Sequence, residues 1–138
     1  MMKVCIIQPK YSVYYTESDA CFDAEMKLLE QCDPSMDIIV CPEMCDVPAL
    51  ANTKEEFEAS AKKYHEPMMQ KASEVAKRCG ATLFINGCDF HKKGIRNTTF
   101  VFDKNGELVG KYFKQHLTPG EVNKRKRSLL SLRSKSAR

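Results

Sequence analysis

Residues 37–44 read Asp-Ile-Ile-Val-Cys-Pro-Glu-Met, and they indicate how the rest of the chain is arranged. The apolar, β-rich run from Ile38 to Cys41 predicts a short strand that is buried on both faces. Pro42 has no backbone N–H to donate, so it ends the strand and turns the chain outward. Glu43 then lies just past the carboxyl end of a buried strand, where open α/β sheets place their ligands. This position makes Glu43 a candidate general base, although a solvated loop glutamate remains the alternative on position alone.

The segment before this strand has the pattern of an α/β protein. Residues 3–8 predict an earlier buried strand, and Thr16 followed by Asp19 predicts the start of a helix. Apolar residues of that helix recur at helical spacing, at Cys21, Ala24, Leu28 and Cys32. The order strand, helix, strand implies a parallel pair of strands joined by a right-handed crossover.

Two further helices are predicted between Glu43 and a third strand. Thr53 and Glu56 form a capping-box pattern, which opens a short polar helix that ends near Lys63. Pro67 suits the first turn of another helix, and Gly80 supplies its C-terminal stop.

The second half of the folded region is predicted to be mostly β-structure. Residues 81–87 form the third strand, and residues 88–94 form a loop. Residues 97–103 and 107–113 then pair as a hairpin around Asn105-Gly106, a strong two-residue turn signal.

The positive net charge comes from the C-terminal segment. Residues 124–138 hold seven of the 22 Lys and Arg residues and no acidic residue, which leaves 15 basic against 18 acidic residues in positions 1–123. We therefore predict one domain over residues 1–123 and a basic, low-complexity, disordered tail over residues 124–138. Binding of nucleic acid or of a membrane surface by this tail is disfavoured, because it has no aromatic residue for base stacking and no long apolar face.

The cysteine pattern is typical of a reduced, cytoplasmic protein. Seven cysteines form an odd set without any Cys-x-x-Cys pair, at positions 5, 21, 32, 41, 45, 79 and 88. A zinc site is disfavoured, because its ligands would have to cluster at short spacing. No apolar run is long enough for a transmembrane helix, and Val4–Ile7 is too short for a signal peptide.

Several motifs occur in a recognisable order within residues 2–121. One strand ends in Gln8-Pro9, a second ends in Pro42-Glu43, and a helix leads into a third strand that ends at Gly87. Asn97 precedes the hairpin, and an aromatic-x-Lys-x-His-Leu run follows it at residues 112–117. Together these motifs resemble the nitrilase, or carbon–nitrogen hydrolase, superfamily.

The resemblance implies an αββα sandwich that hydrolyses amides, nitriles, ureas or N-carbamoyl groups of small molecules without metal or cofactor. It implies a Glu-Lys-Cys triad in which Glu43 is the general base and Lys114 stabilises the tetrahedral oxyanion. Glu121 matches a second carboxylate that orients groups and balances charge. His116 matches a structural residue that is hydrogen-bonded in its loop. Family members usually form homo-oligomers.

The sequence departs from the family pattern in two ways. No cysteine follows Cys88, although the family's nucleophile lies after the lysine, and neither Cys45 nor Cys88 is a good substitute. The chain is also about half as long as a family domain, so we expect only the N-terminal half of the sandwich, with open strand edges and an uncovered apolar face. The change of composition after Asn123 resembles a frameshifted or prematurely ended reading frame.

Two functions are therefore open. The first is a truncated carbon–nitrogen hydrolase that carries Glu43 and Lys114 and is inactive without its nucleophile. The alternative is a non-enzymatic half-domain, or a pseudoenzyme, that binds a partner subunit. Solubility and a defined stoichiometry would favour the alternative.

Overall fold

The computed structural model describes residues 1–92 and 94–119. The elements are, in chain order, β1 (Val4–Ile6), α1 (Ser18–Glu30), β2 (Ile38–Val40), α2 (Lys54–Cys79), β3 (Thr82–His91), β4 (Gly94–Phe102) and β5 (Leu108–Phe113), with one turn of 3-10 helix at Tyr15–Glu17 before α1. The predicted basic tail and Glu121 lie outside the described residues.

The five strands form one mixed sheet in the order β1-β2-β3-β4-β5. The pairs β1–β2 and β2–β3 are parallel, and the pairs β3–β4 and β4–β5 are antiparallel. The predicted parallel pairing of the strand in residues 3–8 with the strand in residues 38–41 is therefore confirmed. The described residues form one sheet with one helix layer, which is half of the four layers in an αββα sandwich.

The helices differ from the prediction at two points. The chain enters α1 through a turn of 3-10 helix, and no side chain caps α1, so the predicted start at Thr16 is wrong. Residues 54–79 form one helix with Pro67 inside it, not two helices. The continuous helix is favoured because buried residues on both sides of Pro67, such as Tyr64 and Met68, pack on the same core. The capping box at Thr53 and the left-handed Gly80 stop are confirmed.

The predicted loop at residues 88–94 is also wrong. Strand β3 continues to His91 and pairs with β4 from Gly94 onward. The pairing of Asp89 with Arg96 and of Phe90 with Ile95 extends the ladder beyond Gly87, which the sequence pattern had marked as the strand end. The hairpin around Asn105-Gly106 is confirmed, and Gly106 has the positive φ of 79° that this turn requires.

The core lies between the helix layer and one face of the sheet. It contains Leu29 from α1, Met68 and Val75 from α2, and Leu83 and Phe100 from the sheet, all of them almost completely buried. Residues of alternate parity point to the other face, because side chains alternate along a strand. That face, which we call the open face, carries the exposed residues Val4, Ile6 and Tyr112 and the half-buried residues Val40, Phe84 and Val101.

Candidate active site

Glu43 lies where the sequence predicts it, just past the carboxyl end of β2. The chain leaves the sheet after Cys41, whose N–H donates to the Phe84 carbonyl at 2.9 Å. Met44 has a φ of 60°, a conformation that is uncommon for a residue with a side chain and is held here by tertiary contacts. We call residues Cys41–Val47 the Glu43 turn.

Lys114 follows β5 and comes back to this turn. Its Nζ lies 2.8 Å from Glu43 Oε1, and the side chains are 29% and 57% exposed, respectively. The Lys114 backbone N–H donates to the Asn97 carbonyl at 3.0 Å, which fixes the start of the segment after β5 on the neighbouring strand. The structure thus brings together two of the three predicted site residues, although they are 71 positions apart in the chain.

Two asparagines hold this ion pair in place. Asn97 Nδ2 donates to Glu43 Oε1 at 2.6 Å, and Asn86 Nδ2 donates to Asn97 Oδ1 at 2.8 Å. Asn86 Oδ1 accepts from the Met44 N–H at 2.8 Å, and the Asn86 carbonyl accepts from the Cys45 N–H at 2.9 Å. Asn86 therefore fixes the Glu43 turn, and through Asn97 it also orients the carboxylate.

Sequence reasoning noted Asn97 only as part of a family motif and missed the role of Asn86. Asparagine is depleted in strands, and both residues lie inside predicted or observed strands. An asparagine within an otherwise apolar strand was the available signal, since a half-buried amide needs hydrogen-bond partners.

The remaining predicted residues behave differently. Glu121 lies outside the described residues, so its role stays a prediction. His116 is exposed and makes no hydrogen bond within residues 1–92 and 94–119, so the expected hydrogen bond in its loop is not formed there.

The cysteines nearest the site are unsuited to act as nucleophiles. Cys41 packs against the core, and Cys45 and Cys88 are almost completely buried. The Cys45 Sγ lies 3.2 Å from the Pro42 carbonyl, and its pKa is raised well above the usual value by the neighbouring Cys41 and by burial. A nucleophilic thiol needs the opposite, a lowered pKa and access to substrate.

A buried acidic pair lies beneath the site, and sequence reasoning missed it. Glu25 on α1 and Asp46 in the Glu43 turn are 2% and 0% exposed. Asp46 Oδ2 accepts from the Cys88 N–H at 2.7 Å and lies 3.0 Å from His65 Nδ1. Burial raises the pKa of Glu25 to about 7, and the negative charge of Asp46 acts in the same direction.

Two clefts meet at the Glu43–Lys114 ion pair. The first, of about 520 Å³, opens on the open face and is lined by Phe84, Asn86, Thr99 and Tyr112 as well as the ion pair. The second, of about 710 Å³, is lined by apolar residues, which include Phe57, Phe90 and Ile95, and by charged residues, which include Glu58 and Arg96. The ion pair is thus accessible from two sides, which suits a group that acts on a bound molecule.

Within the described residues, no group of three or more His, Cys, Asp and Glu side chains is arranged to hold a metal ion. No helix in the same part of the chain is both long and apolar enough to cross a membrane.

Comparisons with known proteins agree with this architecture. Solved structures similar to this chain include a carbon-nitrogen hydrolase from Helicobacter pylori G27, with 21% identity and a TM-score of 0.67 over 90% of this chain and 43% of that chain. An N-terminal amidase with a Gln-Gly peptide has 18% identity and a TM-score of 0.69 over 88% of this chain and 30% of that chain. Nit3 of Saccharomyces cerevisiae, a member of branch 10 of the nitrilase superfamily, has 23% identity and a TM-score of 0.63 over 89% and 47%.

These likenesses establish the fold, and in each of them this chain spans less than half of the other protein. A search of curated proteins finds no match. The family model described as carbon-nitrogen hydrolase matches residues 3–135, which is almost the whole sequence. The chain therefore belongs to the carbon–nitrogen hydrolase family.

Proposed function

We propose that this chain supplies the general base and the oxyanion-stabilising lysine of a hydrolase that cleaves a non-peptide C–N bond in a small amide or nitrile. The observation that carries the proposal is the contact between Lys114 Nζ and Glu43 Oε1, 2.8 Å apart where two clefts meet. A carboxylate and an ammonium group at such a position fit acyl transfer better than a purely structural role.

Each group has a defined task in this proposal. Glu43 takes the proton from a thiol nucleophile, gives it to the substrate nitrogen, and then takes a proton from the water that hydrolyses the acyl-enzyme. Lys114 offers a fixed positive charge to the oxygen that becomes negative in the tetrahedral intermediate. Asn97 keeps Glu43 Oε1 oriented through its 2.6 Å hydrogen bond. Glu121 is proposed as the second carboxylate.

The nucleophile is proposed to lie outside this sequence, because no cysteine follows Cys88, Cys45 and Cys88 are buried, and the half-buried Cys41 packs against the core. The 138 residues alone are therefore expected to be inactive. We further propose a cytoplasmic, homo-oligomeric protein that works without a cofactor.

The test is to read the DNA downstream of the Asn123 codon in all three frames and to express any longer protein that results. The proposal expects one frame to continue as alternating strands and helices with a cysteine at a strand end. That protein should release ammonia from a panel of small amides and nitriles, and the 138-residue chain should not. If no frame supplies such a cysteine, the proposal is wrong.

The uncovered apolar residues of the open face favour one second candidate, a half-domain that binds a partner subunit. The two candidates differ in solution behaviour. A binding module should be soluble with one defined stoichiometry, whereas half of an enzyme domain should associate without a fixed size. Sedimentation velocity at several protein concentrations distinguishes them.

A further inference from the structure

The buried acidic pair, Glu25 and Asp46, is the basis for an inference about how Glu43 is positioned. Two carboxyl groups occupy the protein interior within one small region, Glu25 on α1 and Asp46 in the Glu43 turn. One oxygen of each, Glu25 Oε1 and Asp46 Oδ1, has no hydrogen-bond partner within the part of the chain that the structure describes. Buried polar atoms without partners are rare in folded proteins, so this region calls for a physical explanation.

The two carboxyl groups have different partners. The Cys88 N–H donates to Asp46 Oδ2 at 2.7 Å, and His65 Nδ1 lies 3.0 Å from the same oxygen. Glu25 has the Cys45 thiol as a hydrogen-bonding neighbour and the Asp46 charge nearby. Because burial raises the pKa of Glu25 to about 7, Glu25 is the neutral member of the pair in mildly acidic solution.

The groups around the pair offer no strong countercharge. Cys45 and Asp46 of the Glu43 turn face Glu25, Cys41 lies beside Cys45, and His65 of α2 faces Asp46. Within the described residues no lysine or arginine forms an ion pair with either carboxyl group. A second negative charge in this region would therefore be opposed by burial and by repulsion at once.

The pair is connected to Glu43 through a few covalent bonds. Cys45 and Asp46 are only two and three residues after Glu43. Two hydrogen bonds to Asn86 hold the same turn, one from the Met44 N–H and one from the Cys45 N–H. A displacement of Asp46 away from Glu25 would pull on these contacts and change the position of the Glu43 carboxylate.

We propose that Glu25 is a positioning residue: its neutral form allows the Glu43 turn to pack over α1, and its ionisation displaces that turn and with it Glu43. Glu25 loses one proton to solvent in this step, and no other bond is made or broken. The functional consequence rests on the proposed role of Glu43, but the displacement itself does not.

The test is an NMR titration of the full 138-residue chain with the glutamate side-chain carboxyl carbons labelled with 13C. The Glu25 carbon should titrate with a midpoint near 7. The Glu43 carbon and the Met44 amide should show a step with the same midpoint. Glu25→Gln, which keeps the size and polarity of the side chain, should remove that step. Glu30→Gln should retain it, because Glu30 lies on the same helix with a 57% exposed side chain.

If Glu25→Gln fails to fold, a second variant still tests the inference. Asp46→Asn removes the neighbouring charge and should lower the Glu25 midpoint by about one pH unit. The inference is wrong if Glu25 titrates below pH 5 like an exposed glutamate, or if the Glu43 step persists in Glu25→Gln. The titration reports the surroundings of the Glu43 carboxyl group and does not measure turnover. The inference can therefore be wrong while the proposed hydrolase function is right, and the reverse.

Discussion

Glu43 and Lys114 contribute little to the stability of the fold. More than half of the Glu43 side chain is exposed, and ion pairs with that much exposure are worth at most about 1 kcal/mol. Asn97 adds a hydrogen bond to the same carboxylate, so three polar side chains are oriented for a small gain in stability. Such an arrangement is typical of functional sites, where residues are selected for chemistry and not for packing.

Gly87 shows how closely the buried acidic residue is packed. A Cβ at this position would lie 2.8 Å from Asp46 Oδ2 and 2.9 Å from Met68 Cε. We expect Gly87→Ala to lower the free energy of unfolding by about 1–3 kcal/mol, because the core has to shift to admit the methyl group. Urea unfolding measures the loss. Gly110→Ala is the control, since its Cβ would meet only ordinary contacts at 3.7 Å or more.

Glu25 makes the stability of the fold depend on pH. Burial raises its pKa from an ordinary 4.5 to about 7, so between these values the folded state binds more protons than the unfolded state. The contribution of Glu25 to stability is therefore complete below pH 4.5, falls as the pH rises, and is lost above about pH 7. The expected loss is about 3 kcal/mol.

Unfolding measured from pH 4.5 to 8 in the natural chain and in Glu25→Gln checks this expectation. The free energy of unfolding of the natural chain should fall steadily relative to that of Glu25→Gln as the pH rises over this interval, because the glutamine side chain does not titrate. A difference that does not change with pH would mean that Glu25 titrates alike in the folded and unfolded states.

At the scale of single residues, the sequence predicted the charged pair and missed its supports. Glu43 and Lys114 could be predicted because each follows a clear strand pattern and matches a family motif. Asn86, Glu25 and Asp46 act only through partners that are distant in sequence, such as Asn97 and the Cys88 N–H. Nothing in local periodicity shows such contacts.

Helix α2 accommodates a proline that the local sequence rules place at a helix start. Pro67 is exposed and cannot donate a hydrogen bond to the Lys63 carbonyl, four residues earlier. We expect Pro67→Ala to stabilise the chain by about 1–3 kcal/mol, since the restored hydrogen bond outweighs the greater entropy of the unfolded chain. Thermal unfolding checks the gain, with Lys62→Ala as the exposed control. A loss of stability would mean that the fold depends on the restricted backbone of Pro67.

The β4–β5 turn is fixed on α2. Ser73 Oγ donates to the Gly106 carbonyl at 2.6 Å, and a Cβ on Gly106 would lie 2.5 Å from the Ser73 carbonyl oxygen. Gly80 has a similar positive φ, but nothing lies within 4 Å of its would-be Cβ. Gly80→Ala should therefore cost about 1 kcal/mol from backbone strain alone, and Gly106→Ala should cost at least 1 kcal/mol more.

Equal losses of stability in these two variants would show that the β4–β5 turn does not press on helix α2.

Local sequence signals predict turns better than they predict the ends of helices and strands in this chain. The turn residues Asn105-Gly106 predict the local geometry correctly. Packing in the core overrides the helix start predicted at Pro67, and the β3–β4 ladder overrides the strand end predicted at Gly87.

The whole molecule presents one face of its sheet uncovered in the described residues. Ile6 is 68% exposed on this face, while its neighbour Ile7 is 5% exposed and packs in the core. We expect Ile6→Lys to reduce self-association without a loss of stability above about 0.5 kcal/mol. Ile7→Lys, the matched variant, should unfold the chain, because it would bury an unpaired charge. Sedimentation velocity and circular dichroism measure the two effects.

If Ile6→Lys leaves the association unchanged, the open face is not the contact surface. The order of the strands was predictable from the sequence, because it follows from buried strands, one crossover and a strong hairpin signal. The family and the exposed face were predictable only through the resemblance of the motifs, and the single helix α2 was not predicted. The boundary at residue 123 stays a prediction, and the family match continues to residue 135.

The central claim is that Glu43 and Lys114 act as base and oxyanion stabiliser, and the steady-state kinetics of the longer, cysteine-containing protein test it most directly. Glu43→Gln and Lys114→Ala should each lower kcat/KM by about 100-fold or more and leave the unfolding temperature unchanged. The exposed controls Glu55→Gln and Lys104→Ala should behave like the natural protein. Activity within about threefold of these controls in either site variant would contradict the claim.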